Sequence, residues 1–131
     1  MDYFKPDMTA LDANKLSMLA LAHVGDAVYE LLTRTMLCTR ANSSVAQLHK
    51  QTVSYVNAPA QARAAEKILP LLSEEEGDVF RRGRNASPHS IPKAASREEY
   101  QTATAVEALF GYLYLQGKTE RLNALFTLMM G

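Results

Sequence analysis

Tryptophan is absent and cysteine occurs once, at Cys38, so no disulfide can form within the chain and a reducing compartment is expected. Net charge is also missing. Fourteen Lys and Arg balance 14 Asp and Glu, a formal charge of +0, which excludes a general polyanion binder and leaves any nucleic-acid contact to a local patch. No apolar run reaches the roughly 18 residues that a membrane span needs, and Met1-Asp2-Tyr3-Phe4-Lys5-Pro6 lacks the pattern of an export signal. The expectation is a cytoplasmic protein with no membrane association. Sustained β alternation, internal repeats and low-complexity segments are absent as well, which leaves an all-α chain. At 131 residues, 47% of them hydrophobic, it is expected to form one domain over 1–131 that buries roughly two thirds of its unfolded surface.

What is present is a series of helix-start signals. Thr9 and Asp12 have capping-box spacing and predict a first helix running through Leu16, Leu19 and Ala20. Gly25 interrupts that pattern, by close approach of another backbone or by a break with Asp26 near a new start, and the segment continues to about Cys38. Ser44 with Gln47, Ser73 with Glu76, and Ser96 with Glu99 predict three further starts. Asn57-Ala58-Pro59 reads as a stop and restart, with a helix from Ala60 to Leu69 ending at Pro70. An amphipathic helix from Thr119 to Met129 closes the chain.

Three acids stand out against this background. Asp26 and Glu30 lie in the apolar stretch from Leu16 to Leu37, and Glu107 is the one charged residue between Tyr100 and Gly117. Burying an unpaired carboxylate is expensive, so such acids are normally paired, hydrogen-bonded or bound to a cation. Asp26 reads alternatively as an N-cap after Gly25, and Glu30 as a partner for Arg34 one turn on. Glu107 caps nothing and has no counter-charge one turn away. A cation shared by Asp26 and Glu107 would offset both burial costs. An all-oxygen site with few protein ligands suits Mg²⁺, with Mn²⁺ as a substitute, and points to phosphodiester chemistry. A zinc site of His23, Asp26 and Glu30 lacks further nitrogen or sulfur ligands at suitable spacing, since His49 and His89 lie elsewhere.

Leu21-Ala22-His23-Val24-Gly25-Asp26-Ala27-Val28-Tyr29-Glu30-Leu31 resembles the signature of the ribonuclease III catalytic domain, and Ala105-Val106-Glu107-Ala108-Leu109-Phe110-Gly111 resembles that family's second motif. Arg82-Gly83-Arg84-Asn85-Ala86 is similar to a stretch typical of the short bacterial Mini-ribonuclease III branch, which lacks a double-stranded-RNA-binding domain. The resemblance implies an all-helical ribonuclease III-like bundle. It further implies a homodimeric, Mg²⁺-dependent endoribonuclease that cuts double-stranded RNA, with 23S ribosomal RNA precursor as substrate. On it, Asp26 and Glu107 are carried over as catalytic metal ligands. Larger members carry a Glu where this chain has Ala22 and an Asp where it has Thr104, so those positions are not carried over, and Glu30 is left without a role.

Arg81, Arg82, Arg84, Asn85, His89 and Lys93 concentrate charge and donors in a long Pro- and Ser-containing loop. Of these, Arg81, Arg82, Arg84, Asn85 and Lys93 are expected to grip duplex RNA through phosphates and 2′-hydroxyls. The plain alternative is a helix end whose arginines complement the dipole and pair with Glu74 to Glu76. Two rival functions remain on the residues alone. One is a helical Mg²⁺-dependent nucleotide pyrophosphohydrolase, and the other is a non-catalytic adaptor on ribosomal RNA.

Overall fold

The computed structural model describes residues 1–87 and 95–131, and among these the regular elements are all helical. In order they are α1 (Ala10–Ala13), α2 (Met18–Arg40), α3 (Val45–Tyr55), α4 (Ala58–Ala65), a 3₁₀ turn (Leu69–Leu71), α5 (Glu74–Asn85), α6 (Arg97–Leu115) and α7 (Thr119–Met130). The three Ser-led capping boxes form as expected, each Ser accepting from the backbone N–H three residues on while Gln47, Glu76 or Glu99 reaches back. Asn57 caps α4, its Oδ1 accepting from Ala60 N at 2.9 Å, with Pro59 in the first turn where no N–H is needed.

The axis of the bundle is α6. From Ala103 to Leu113 every residue except Glu107 is buried, because α2, α4, α5 and α7 surround this helix. Its contact with α2 is the most extensive, and the two backbones touch. A Cβ built on Gly25 would lie 1.6 Å from the Glu107 carbonyl oxygen, and one on Gly111 would lie 2.0 Å from that of Leu21. Only glycine permits such a crossing. Of the two readings of Gly25, the structure therefore selects close approach, and α2 runs through it unbroken.

Two helix ends differ from the sequence expectation. The first helix stops at Ala13, and α2 starts afresh with Ser17 Oγ accepting from Ala20 N at 3.0 Å. Thr9 caps α1 without a reciprocal bond from Asp12, so the interval holds two starts rather than one. At the other end of the fold α4 stops at Ala65, not Leu69. Bonds from Glu66, Lys67 and Ile68 N–H to carbonyls three residues back tighten the chain and bury Ile68 ahead of Pro70.

Candidate functional site

The Gly25–Gly111 crossing decides where the acids stand. Asp26 follows Gly25 on α2, while Glu107 lies one turn before Gly111 on α6, so close contact of the backbones brings the two carboxyls to the wall of one cleft. Glu107 is half-buried. Asp26, expected to be buried in its apolar helix, is exposed. The reason is that α2 buries a single stripe against the bundle (Leu21, Gly25, Val28, Tyr29, Thr33, Leu37) and turns Asp26, Ala27 and Leu31 outward.

Burial pushes the Glu107 carboxyl up to about 8, with the Asp26 charge and the hydrogen bond to Asp26 acting in the same direction and the neighbouring Gln61 amide opposing them. Tyr29, on the buried stripe of α2 one turn after Asp26, is pushed up to about 12, first by burial and then by the charge of Glu107. Its hydroxyl has no hydrogen-bond partner among the described residues.

Both acids open on a cleft of about 380 Å³ whose wall includes Asn57, Gln61, Tyr100 and Thr104. Asn57 is spent on capping, and the Thr104 hydroxyl donates to the Tyr100 carbonyl at 3.0 Å. Thr104 therefore does not stand in for a carboxylate. Ala22, at the other position where larger family members carry an acid, is buried and apolar. Two converging carboxylates facing an open cleft whose wall carries no cationic side chain among the described residues suit a hard divalent cation that keeps several waters. Among the described residues no group of three or more His, Cys, Asp and Glu gathers anywhere, so a closed structural metal site is not formed. His23 is exposed, and Glu30 pairs with Arg34 at 3.5 Å on the surface. Neither joins the acids.

Gln61 is a cleft residue that the sequence reading misses. It is 4% exposed, and its Nε2 is buried without a protein acceptor among the described residues. The available signal is its spacing from Asn57, four residues on and hence on the same helix face.

The basic segment takes a different form from the expected loop. Arg81, Arg82, Arg84 and Asn85 are the last turns of α5, whose N-terminal acids and C-terminal arginines both complement the helix dipole. Asp78 takes Arg81 at 2.7 Å and Arg82 at 2.9 Å, and Arg82 also donates to Asn14 Oδ1 at 2.8 Å. The partner is thus Asp78, not Glu74 to Glu76, because three and four residues separate the arginines from it on the helix face. Arg84 is exposed and lies 5.9 Å from the centre of the Phe80 ring. Lys93 and His89 lie outside the described residues.

The model of the ribonuclease III domain matches residues 19–118, a span that holds both acids, the crossing glycines and Gln61. The chain belongs to the ribonuclease III family. Within it, the chain is similar to Mini-ribonuclease 3 of a Thermoanaerobacter species, 50% identical over 113 residues covering 86% of this chain and 80% of the relative. It is 48% identical to Mini-ribonuclease 3 of Symbiobacterium thermophilum over 113 residues, 85% of this chain and 87% of that one. A crystal structure of a Fusobacterium nucleatum protein superposes with a TM-score of 0.80 at 32% identity, covering 87% of this chain and 91% of the other.

Proposed function

We propose that Asp26 and Glu107 are the metal-binding and catalytic residues of a double-stranded-RNA endoribonuclease, working with Mg²⁺ on 23S ribosomal RNA precursor, and that residues 1–131 act as one catalytic domain. Membership of the ribonuclease III family carries the endoribonuclease activity and sets aside the pyrophosphohydrolase reading. For the site, the supporting observation is the pair itself. Two carboxyls share one cleft wall with no counter-cation among the described residues, and burial with the Asp26 charge pushes Glu107 up to about 8. A structural acid pair with no ligand to receive would be a cost without return.

A bound Mg²⁺ would supply an acidified water and charge neutralisation at the scissile phosphate. The protein's part is to hold the ligands and keep them ionised. Asp26 presents its carboxylate at the exposed mouth, and Glu107, fixed by the Gly25 contact, presents the inner one after giving up its proton. Mn²⁺ substitutes on the same oxygen donors.

A homodimer is proposed on the outer face of α2. Leu31 is 61% exposed and Phe4 88%, and they flank an apolar groove of about 510 Å³ with Val24, Val28 and Tyr114. A surface of that kind calls for a partner, and a second copy would give each strand of a duplex its own Asp26/Glu107 site. Among the described residues no helix is long and apolar enough to cross a membrane, and the exposed thiol of Cys38 supports a reducing cytoplasmic setting.

The test is incubation of the pure protein with duplex RNA, with and without Mg²⁺, beside Asp26→Asn and Glu107→Gln. Cleavage by the wild type that needs Mg²⁺, and rates below about a hundredth of it in either variant with duplex binding retained, are expected. Near-normal cleavage by either variant removes the site assignment. Binding without metal-dependent cleavage by the wild type would restore the adaptor reading. Light scattering should give about twice the chain mass of 14.5 kDa.

A further inference from the structure

We infer that Gln61 is a positioning residue of this site, its side-chain amide donating to the Glu107 carboxylate in the ionised, cation-bound state and fixing which oxygen faces the cation. The inference rests on the metal-site reading of Asp26 and Glu107 and adds to it a third element, α4. Gln61 is 4% exposed, yet its Nε2 has no acceptor among the described residues. Buried amides in folded proteins are almost always paired, and an unpaired donor is costly, so one retained beside a functional carboxyl needs a use. Two of the other polar side chains on the cleft wall are committed. Asn57 caps α4 with its oxygen and donates its nitrogen to the Val53 carbonyl, while Thr104 is bonded to Tyr100.

Placement supports the same conclusion. Gln61 lines the cleft with both acids and α4 packs on α6, so the amide stands beside the Glu107 carboxyl without a completed hydrogen bond to it. Ligating carboxylates are generally oriented by a second hydrogen-bonded group, and losing that group costs metal affinity as well as rate. Among the described residues no third His, Cys, Asp or Glu joins Asp26 and Glu107, so the orientation of these two ligands matters more.

The experiment is a titration of the RNA-free protein with Mn²⁺, read by electron paramagnetic resonance of the free ion, on wild type, Gln61→Met and Glu107→Gln. Met keeps the length and volume of the side chain but has no amide. Gln61→Met should weaken Mn²⁺ binding about tenfold and lower kcat by a similar factor with KM for duplex RNA unchanged. Its thermal midpoint should be equal or higher, since a buried unpaired donor has been removed. Mn²⁺ affinity within twofold of wild type would overturn the inference. Should the Met variant not fold, Gln61→Leu makes the same comparison. Glu107→Gln separates the two levels: if it binds Mn²⁺ like wild type the metal-site reading itself fails, whereas loss in Glu107→Gln with none in Gln61→Met removes only the role of Gln61.

Discussion

Two glutamates in this molecule, one buried and one half-buried, have opposite surroundings. Glu76 at the start of α5 is 7% exposed and is gripped by Arg121 of α7, with Nε at 2.8 Å and a terminal nitrogen at 2.7 Å. Hydrogen bonding from Arg121 holds its carboxyl below the usual carboxylate range. Glu107 faces another acid instead of a cation, and its carboxyl rises to about 8. The first is a finished structural pair that also ties down the chain through Arg121 and the Leu71 carbonyl. The second is an unfinished one. Burial alone is thus a poor guide to function here, and what marks the candidate site is that no counter-charge meets it among the described residues.

The largest effect should come from breaking the crossing that forces Glu107 against Asp26. An added Cβ at Gly111 would meet the Leu21 carbonyl oxygen at 2.0 Å and one at Gly25 would meet that of Glu107 at 1.6 Å, and backbone cannot step aside as a flexible side chain can. Gly111→Ala and Gly25→Ala should each cost about 3 kcal/mol or more in urea unfolding despite the better helix propensity of Ala. Gly77→Ala is the control, because nothing lies within 4 Å of the new Cβ. It should stabilise α5 by about 0.5–1 kcal/mol. Similar effects at all three glycines would refute the backbone contact.

Removing the cation from the finished pair comes next. Arg121→Met should cost about 2 kcal/mol, below the range for fully buried pairs because the arginine side chain is 37% exposed. The loss should be carried by the α5–α7 contact, leaving Mg²⁺-dependent cleavage per folded molecule unchanged. A variant that lost cleavage while remaining folded would show the two regions to be coupled.

The two carboxyls should also respond to pH with opposite sign. Glu107 binds its proton more tightly folded than unfolded, so its contribution is fully present below about 4.5 and is lost as pH rises to about 8. Glu76, with its folded value lowered, contributes above the ordinary carboxylate range and loses that contribution as pH falls. In EDTA, the thermal midpoint of wild type should therefore fall relative to Glu107→Gln between pH 5 and about 8 and run parallel above it. Adding Mg²⁺ at pH 8 should recover the difference. Parallel curves across the whole range would mean that Glu107 is not strained.

Much of this fold is legible in the amino-acid sequence, and the gaps have physical causes. Local signals report what local chemistry controls: Ser44, Ser73, Ser96 and Asn57 cap the helices that their spacing predicts. Ser17 is hidden because Thr9, eight residues earlier, offers a competing start and α1 is short. Gly25 carries a hint of close approach, but that it faces Gly111 is a tertiary fact. Isolation on two apolar helices hints that Asp26 and Glu107 meet. The exposure of Asp26 has no such trace, since an apolar sequence does not say which flank is left uncovered. Gln61 and the Glu76–Arg121 pair are long-range polar contacts with no periodic signature.

The smallest effect concerns the end of α5, where charge is neither buried nor uncompensated. Arg81 and Arg82 already share Asp78, and Arg82 is further bound to Asn14, whereas Arg84 has no carboxylate partner among the described residues. If this surface grips duplex RNA through phosphates, Arg84 is free to do so at once, while Arg81 and Arg82 must first give up part of their bonding to Asp78. Arg84→Ala should therefore weaken binding to unrelated duplexes by several-fold and reduce the slope of log affinity against log salt by about one. Arg81→Ala should do less. Arg82→Ala should combine a modest binding loss with a destabilisation of about 1 kcal/mol from the broken Asn14 bond. Binding is best measured in the Glu107→Gln background across a salt series, so that cleavage does not deplete the duplex. Slopes unchanged in all three variants would make these arginines a helix end that only complements its own dipole, and the grip on RNA would have to be sought on another face of the bundle.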